Sequence, residues 1–185
     1  MIIGLWGYQG SGKTYAGMRL TRWEHLVNGR EIVSNVKIND VPGDYLGTKE
    51  MREFLKIMVE QEQKNKVVFI DEIDAIAPGR LYSKEEQLDM LLGLWHDEKL
   101  DNTIIYTTHK GKGADKIIRD ATSVLLLPKY DKKRDTISIR GCDMRKDINF
   151  NAGFNEVSEY FERYNRWALV KRELDKKAVR NAKVL

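Results

Sequence analysis

A glycine-rich stretch near the start of the sequence constrains the fold more than any other feature. Gly7-Tyr-Gln-Gly-Ser-Gly-Lys-Thr14 fits the phosphate-loop pattern G-x-x-x-x-G-K-[ST]. It follows an apolar segment at 1–6 and leads into a segment with helical spacing, from Lys13 to about Leu26. Such a loop turns successive backbone N–H groups toward a phosphate, and the following helix directs its positive end at the same point. The sequence therefore predicts a strand, a phosphate-binding loop and a helix, in that order.

The loop residues have expected roles in binding ATP with Mg²⁺. Lys13 is expected to reach the β and γ phosphates, and the Thr14 hydroxyl is expected to ligate the metal. A chance match is the competing interpretation, and the flanking strand and helix argue against it. The predicted nucleotide-binding residues are Gly7, Tyr8, Gln9, Gly10, Ser11, Gly12, Lys13, Thr14 and Tyr15.

Two adjacent carboxylates follow a second apolar run, Val67-Val-Phe-Ile70. Asp71 is predicted to support the Mg²⁺ shell, and Glu72 is predicted to orient and deprotonate the attacking water. The alternative is that Glu72 and Asp74 only begin a solvated turn. A second carboxylate beside the first is unfavourable unless a metal or a proton transfer uses it. Nucleotide kinases often lack such a pair, so its presence favours ATP hydrolysis over phosphoryl transfer to a small acceptor.

Polar residues also end a further apolar strand, predicted at 103–107. Thr107, Thr108 and His109 are the candidates to contact the γ-phosphate or the attacking water, and we count His109 among the predicted catalytic residues. The alternative for His109 is an ordinary loop residue.

Strands alternate with helices along the chain, which predicts an α/β fold with a mainly parallel sheet and helices on both faces. Further strands are predicted at 31–34, 66–70 and 123–127, helices at 48–61, 83–96 and 114–120, and turns at 38–47. Residues 135–140 alternate like an edge strand, and the last thirty residues are predicted to form a helical basic tail. We expect one domain, with a phosphate-loop core at 1–150 and a C-terminal extension at 151–185.

Length and composition exclude several classes of protein. The 185 residues suit one domain, and Cys142 is the only cysteine, which excludes an internal disulfide framework. No apolar run approaches the ~20 residues of a membrane-spanning helix. Because the apolar start lacks a basic n-region and meets the glycine loop at once, we expect no signal peptide and a cytoplasmic location.

Charge is distributed unevenly along the chain. The net charge is −3 over residues 1–100 and +7 over 101–185, which gives +4 overall. Basic segments at 110–114, 129–146 and 171–183 suit contact with a DNA backbone, and a solvated charged surface is the other interpretation. In the tail, Tyr160, Tyr164 and Trp167 would share one helix face, which indicates packing or a subunit contact rather than base stacking.

Taken together, these motifs resemble the FtsK–HerA superfamily of P-loop ATPases, especially its zonula occludens toxin-like and viral genome-packaging members. The similar stretches are, in the order of that family, 7–14, 29–35, 69–72, 94–97, 103–109 and 115–120. The phosphate loop is common to many P-loop families. Two stretches make the resemblance to this superfamily specific, namely Gly29-Arg-Glu-Ile-Val-Ser-Asn35 and Asp115-Lys-Ile-Ile-Arg-Asp120. His109 departs from the family pattern, which usually has Gln at that place.

The resemblance implies a RecA-like P-loop NTPase fold and self-association into a ring, usually a hexamer, with ATP between neighbouring subunits. It also implies an arginine that reaches the neighbour's site and stabilises charge on the phosphoryl group. Arg119 is the first candidate for this role, and Arg80 and Arg140 are the others. Alternatively, Arg119 forms a surface ion pair with Asp115 or Asp120.

The function implied by the resemblance is a motor that uses ATP to move DNA, expected to be double-stranded, into a viral capsid. A capsid or membrane assembly partner would complete it, and the location would then be the host cytoplasm. Zonula occludens toxin-like members usually continue into a membrane span, and none is predicted here, so assembly or export of a filamentous virus is the second interpretation. A scaffold or regulator that binds ATP without moving DNA is the alternative from another class.

Overall fold

The computed structural model describes residues 1–76, 100–109, 116–155 and 157–158, and these ranges contain eight strands and four helices. The strands are β1 (Ile2–Gly7), β2 (Glu31–Ser34), β3 (Asp44–Tyr45), β4 (Lys66–Ile70), β5 (Thr103–His109), β6 (Val124–Asp131), β7 (Thr136–Asp143) and β8 (Ile148–Phe154). The helices are α1 (Lys13–Asn28), α2 (Thr48–Glu60), α3 (Ile73–Ile76) and α4 (Lys116–Ala121).

The strands form one sheet in the order β3-β2-β4-β5-β1-β6-β7-β8. The strands from β3 to β6 in this order are parallel to their neighbours, whereas β6–β7 and β7–β8 are antiparallel. β1 lies between β5 and β6, so that Ile2 pairs with Ile104 and Ile3 pairs with Val124. The predicted α/β class with a mainly parallel sheet is confirmed. Because β1, β4 and β5 are parallel, the residues that follow them meet at one edge of the sheet.

Apolar residues cover both faces of the sheet, and β4 shows this most clearly. Its residues from Val67 to Ile70 are all fully buried. Val68 and Ile70 belong to a cluster that includes side chains of α2, α3 and α4, whereas Val67 and Phe69 belong to a second cluster with side chains of α1 and β7. The continuous apolar run at 67–70 thus forms a strand covered on both sides.

The antiparallel end of the sheet differs from the prediction. The strand predicted at 135–140 is β7, but β7 is not at the edge, because β8 pairs along its other side. β6 continues past the predicted end at 127 and pairs with β7 as far as Asp131. Elsewhere, β3 lies within the predicted turn at 38–47, β5 extends to His109, and α3 has no counterpart in the prediction.

The remaining predictions fall partly outside the described residues. The helix predicted at 114–120 corresponds to α4, which is described from residue 116. The helix predicted at 83–96 lies outside these ranges, and of the predicted helical tail only residues 157–158 are described. The division at residue 150 stays a prediction, and β8 runs across that position. None of the helices in the described ranges is both long enough and apolar enough to span a membrane.

Candidate active site

The glycine loop between β1 and α1 has the backbone shape that its sequence predicts. Gly10 and Gly12 have φ values of 77° and 90°, in the left-handed region that residues with a side chain rarely adopt. A Cβ atom on Gly12 would also lie 2.6 Å from Ile137 Cδ1 of β7, so that the loop rests directly on the antiparallel part of the sheet. Gly12 precedes α1 without a side-chain cap, which leaves the first N–H groups of the helix directed at the loop.

Lys13 bends back over this loop. Its Nζ donates to the carbonyl oxygens of Gly7 and Tyr8, at 2.9 Å each. Burial lowers the pKa of Lys13, and the carboxylates of Asp71 and two further acidic residues oppose that shift. Both hydrogen bonds can be exchanged for phosphate oxygens without leaving the ammonium group unpaired.

The other predicted loop residues have different surroundings. The Tyr8 side chain is 70% exposed, and Gln9 is exposed as well. The Ser11 hydroxyl lies close to Gly7, and it is one of two buried side-chain polar atoms in the described residues that have no hydrogen-bond partner. Tyr15 is 3% exposed and packs edge-to-face against Phe154 with a centroid separation of 6.0 Å. Its ring is therefore part of the core.

Asp71 follows β4 and lies beside the loop. Thr14 Oγ1 and Thr107 Oγ1 both donate to Asp71 Oδ1, at 2.8 and 2.7 Å. Burial raises the pKa of Asp71, and the two hydroxyl donors oppose that rise. Thr14 and Asp71 together offer the hydroxyl and carboxylate oxygens that suit Mg²⁺, which in such sites completes its shell with water and substrate phosphate. The donor set therefore fits the metal that the sequence implies.

The peptide bond between Asp71 and Glu72 is held from both sides, by the side chain that follows β2 and by a side chain of β5. Asn35 Nδ2 donates to the Asp71 carbonyl oxygen at 2.9 Å, and the Asp71 N–H donates to Asn35 Oδ1 at 2.7 Å. On the other side, the Glu72 N–H donates to Thr107 Oγ1 at 2.8 Å. Glu72 itself has a φ of 53°, a left-handed conformation that costs a residue with a side chain about 1–2 kcal/mol.

The end of β5 contacts the same acidic turn. Thr108 Oγ1 donates to Asp74 Oδ1 at 2.9 Å, and burial raises the pKa of Asp74. Asp74 is therefore more than part of a solvated turn. His109 is exposed and lies opposite Gly7 in the register of β5 and β1, so that it shares the edge of the sheet with the loop.

Two of the arginine candidates lie on the surface of the described part of the chain. Arg119 is exposed on α4, and Arg140 is exposed on β7. Arg80 and the basic segment 110–114 lie outside the described residues. A role for Arg119 in a neighbouring subunit's site stays a prediction.

Sequence reasoning gave Asn35 no role in the site and took Thr107 for a contact to phosphate or water. The structure instead directs both side chains to the Asp71–Glu72 turn. The only sequence signal for Asn35 was its position at the end of a stretch that resembles a family motif.

A family model described as "ATPase family associated with various cellular activities (AAA)" matches residues 3–127. Among solved structures, the N-terminal domain of zonular occludens toxin from Neisseria meningitidis is similar, with a TM-score of 0.67 and 18% sequence identity. That likeness covers 89% of this chain and 98% of the toxin domain. No curated protein sequence matches the chain.

Two further structures are similar at lower scores. The genome packaging NTPase B204 from Sulfolobus turreted icosahedral virus 2, in complex with AMPPCP, has a TM-score of 0.55 and 10% identity, covering 81% of this chain and 95% of that one. A KaiC-like protein from Pyrococcus horikoshii OT3 has a TM-score of 0.53 and 15% identity, covering 83% of each chain. At these identities the likenesses bear on the fold alone. They confirm a P-loop NTPase fold of the RecA-like type.

Proposed function

Because the chain belongs to the AAA family of ATPases, we propose that it is a motor that couples ATP hydrolysis to DNA translocation, in the packaging of a viral genome into a capsid. The observation that carries this proposal is the grouping of Lys13, Thr14, Asp71 and Glu72 at one edge of the sheet. That grouping contains a phosphate binder, two oxygen donors for a metal and a candidate base.

Each of these residues has a distinct part in the proposed reaction. Lys13 exchanges its bonds to the loop carbonyls for bonds to the β and γ phosphates of ATP. Thr14 and Asp71 would hold Mg²⁺, which when bound supplies positive charge against the charge of the phosphates. Glu72 orients a water molecule and takes its proton as the water attacks the γ-phosphate.

The finer parts of the proposal concern assembly and partners. We place the chain in the FtsK–HerA superfamily, as a ring of subunits in which Arg119 reaches the nucleotide of the next subunit. DNA, double-stranded in this proposal, would contact exposed basic residues such as Lys132, Lys133 and Arg134 in the turn between β6 and β7. The likeness to a packaging NTPase supports this choice of task.

The likeness to the zonular occludens toxin domain favours a second candidate function, in which the ATPase drives assembly or export of a filamentous virus through a separate membrane partner. A nucleotide-dependent scaffold is the candidate from another class. Glu72→Gln separates the scaffold from both motors, because a motor with this substitution keeps nucleotide but loses turnover, whereas a scaffold keeps its function unchanged.

The first experiment is steady-state ATP hydrolysis by the purified full chain, with and without double-stranded DNA and with and without Mg²⁺. Lys13→Ala is the matched control for contaminating ATPases. We expect Mg²⁺-dependent hydrolysis that DNA stimulates and that Lys13→Ala abolishes.

Other outcomes would redirect the proposal. Lys13-dependent hydrolysis that is indifferent to DNA would contradict direct coupling to DNA and favour a motor that acts through a protein partner. Tight ATP binding without hydrolysis, even with the assembly partner present, would favour the scaffold.

A further inference from the structure

The peptide group between Asp71 and Glu72 is bound at both of its polar ends by side chains, one from the residue that follows β2 and one from β5. We propose that Asn35 and Thr107 are positioning residues that fix this peptide, and that they thereby aim the Glu72 carboxylate at the attacking water. This inference rests on the proposed function, because it gives Glu72 the part of the base. It adds Asn35, to which nothing above assigns a role, and it gives Thr107 a role different from the predicted contact to phosphate or water.

The two bonds come from the two sides of β4, where β2 and β5 flank it in the sheet. Asn35 directly follows β2, and its Nδ2 donates to the carbonyl oxygen of the peptide at 2.9 Å. Thr107 lies in β5, and its Oγ1 accepts the N–H of the same peptide at 2.8 Å. Because an amide group is planar, fixing its oxygen from one side and its N–H from the other fixes its orientation.

Asn35 makes a second side-chain hydrogen bond, which connects the turn after β4 to the end of β2. Its Oδ1 accepts the Asp71 N–H at 2.7 Å, and its own backbone N–H donates to the Phe69 carbonyl oxygen of β4. The Asn35 side-chain oxygen therefore accepts the Asp71 N–H just beyond Ser34 and Phe69, the last paired residues of β2 and β4.

Glu72 needs such support because its backbone is in a left-handed conformation, with a φ of 53°. Among the described residues other than glycine, seven have positive φ, and five of these are Asp or Asn, whose short side chains tolerate this region. Glu62 and Glu72 are the other two, and of these only Glu72 lies at the site. If the peptide rotated, φ of Glu72 would relax and its Cα–Cβ bond would point elsewhere.

Thr107 also connects the candidate base with the metal-binding carboxylate. Its hydroxyl proton goes to Asp71 Oδ1 at 2.7 Å, because an ionised carboxylate can only accept. Its lone pairs are then free to accept the Glu72 N–H. One hydroxyl thus orients both acidic residues, and a residue that lacks it loses both contacts at once.

The test compares Thr107→Val, which keeps the shape but lacks the hydroxyl, with Thr107→Ser, which keeps the hydroxyl. Asn35→Asp keeps the acceptor for the Asp71 N–H but removes the donor to the Asp71 carbonyl. Thr21→Val is the matched control, because Thr21 is fully buried and its hydroxyl donates only to the Gly17 carbonyl within α1. Single-turnover ATP hydrolysis and nucleotide Kd are measured for each variant, alone and combined with Glu72→Gln.

We expect Thr107→Val and Asn35→Asp to slow hydrolysis by about 10–100-fold, with nucleotide Kd within about threefold of the parent. Thr107→Ser should restore most of the rate. In the Glu72→Gln background, Thr107→Val should slow single-turnover hydrolysis by less than about a further twofold. The effects of two substitutions are not additive when both act through the same group.

A second measurement does not depend on activity. Hydrogen exchange of the Glu72 amide, followed by NMR on the full chain without nucleotide, should be faster by at least about tenfold in Thr107→Val and unchanged in Thr21→Val. An unchanged exchange rate of the Glu72 amide in Thr107→Val would overturn the proposal that Thr107 fixes this peptide group.

The outcomes separate this inference from the proposed function. If Glu72→Gln lowers the single-turnover rate to a small measurable remainder and Thr107→Val slows both backgrounds by the same factor, the positioning role is wrong and the proposed function stands. If Glu72→Gln hydrolyses ATP at the parent rate, the proposed role of Glu72 fails, and the aiming of Glu72 fails with it.

Discussion

Asp71 carries its carboxylate in a place that water barely reaches, since the residue is only 6% exposed. The site compensates with two hydroxyl donors from Thr14 and Thr107, and none of the ion pairs among the described residues includes Asp71. Burial nevertheless raises its pKa, which means that the ionised Asp71 carboxylate destabilises the folded chain relative to the unfolded one. Stability and metal binding therefore make opposite demands on this residue.

Asp71→Asn should raise the stability of the nucleotide-free chain while abolishing Mg²⁺-dependent hydrolysis. The pKa of Asp71 in the folded chain lies above its ordinary value of 3.8, so protonation of this carboxyl group at low pH favours the folded state. Its contribution to stability is lost as pH rises from about that value through the raised pKa. The difference in Tm between variant and parent should therefore be small near pH 3.5 and grow toward pH 7, with each kcal/mol worth about 2–4 °C.

Thermal unfolding at a series of pH values, followed by circular dichroism in the presence of a chelator, measures this difference. A Tm difference that is independent of pH would show that the Asp71 charge is not what the substitution removes.

At this scale the sequence predicted the residues of one local motif and missed the contacts between strands. The glycines of the loop, Lys13 and Thr14 follow from eight consecutive positions, and Asp71 follows from its place after an apolar run. The bonds of Asn35 and Thr107 to the Asp71–Glu72 turn join positions about 35 residues apart, which depend on strand order and register. Neither the strand order nor the register can be derived from the spacing of residues along the chain.

Among the elements, α1 and β4 approach each other unusually closely. A Cβ atom on Gly17 of α1 would lie 2.3 Å from Phe69 Cε2 of β4, so that only glycine fits at this contact. The contact holds the helix that begins at the loop against the strand that ends at Asp71. Loop and carboxylate are thus placed relative to one another by packing below the site.

Gly17→Ala should destabilise the chain by about 1–3 kcal/mol through overpacking, although alanine is the better helix former by about 1 kcal/mol. Phe69→Leu removes the atoms that clash, and the double variant should be more stable than the sum of the single changes predicts. Urea unfolding of the four proteins completes the cycle. Additive effects would mean that the backbone of α1 shifts to relieve the clash elsewhere.

Element prediction succeeded where both faces of a strand are buried and failed where one is open. β2 and β4 have their predicted bounds, because short apolar runs have no other stable placement in such a sheet. β8 was overlooked although Ile148-Asn-Phe-Asn-Ala-Gly-Phe154 alternates, since its asparagines and glycine are typical of turns. β3 has only two residues, too few for any periodicity.

Across the whole molecule, positive charge collects in the part of the chain that follows residue 100. The turn after β6 carries Lys132, Lys133 and Arg134, all exposed, and β6 runs parallel to β1. This turn therefore extends from the same edge of the sheet as the phosphate loop.

Binding of duplex DNA should weaken by at least about tenfold between 50 and 200 mM salt, because phosphate contacts release counterions. Lys133→Glu should reduce the affinity for DNA, and it should also reduce the slope of the logarithm of the binding constant against the logarithm of the salt concentration. Lys64→Glu is the control, since it makes the same change in charge at an exposed lysine near the end of α2. Fluorescence anisotropy with a labelled duplex measures the DNA affinity of each variant. An equal loss of affinity in Lys133→Glu and Lys64→Glu would rule out a specific role for the turn.

The central position of β1 has a consequence for how the chain matures. Both strands that flank β1 lie more than a hundred positions later in the chain. At about 5–20 residues per second, a ribosome needs on the order of 5–20 s to produce them after β1 has been made. Until then the apolar strand and its glycine loop have no sheet to join, and long-range pairing of this kind is slow even for the finished chain. The nucleotide-binding loop, encoded first, is therefore among the last parts of the protein to become functional, and the nascent chain presents an unpaired apolar segment to chaperones in the meantime.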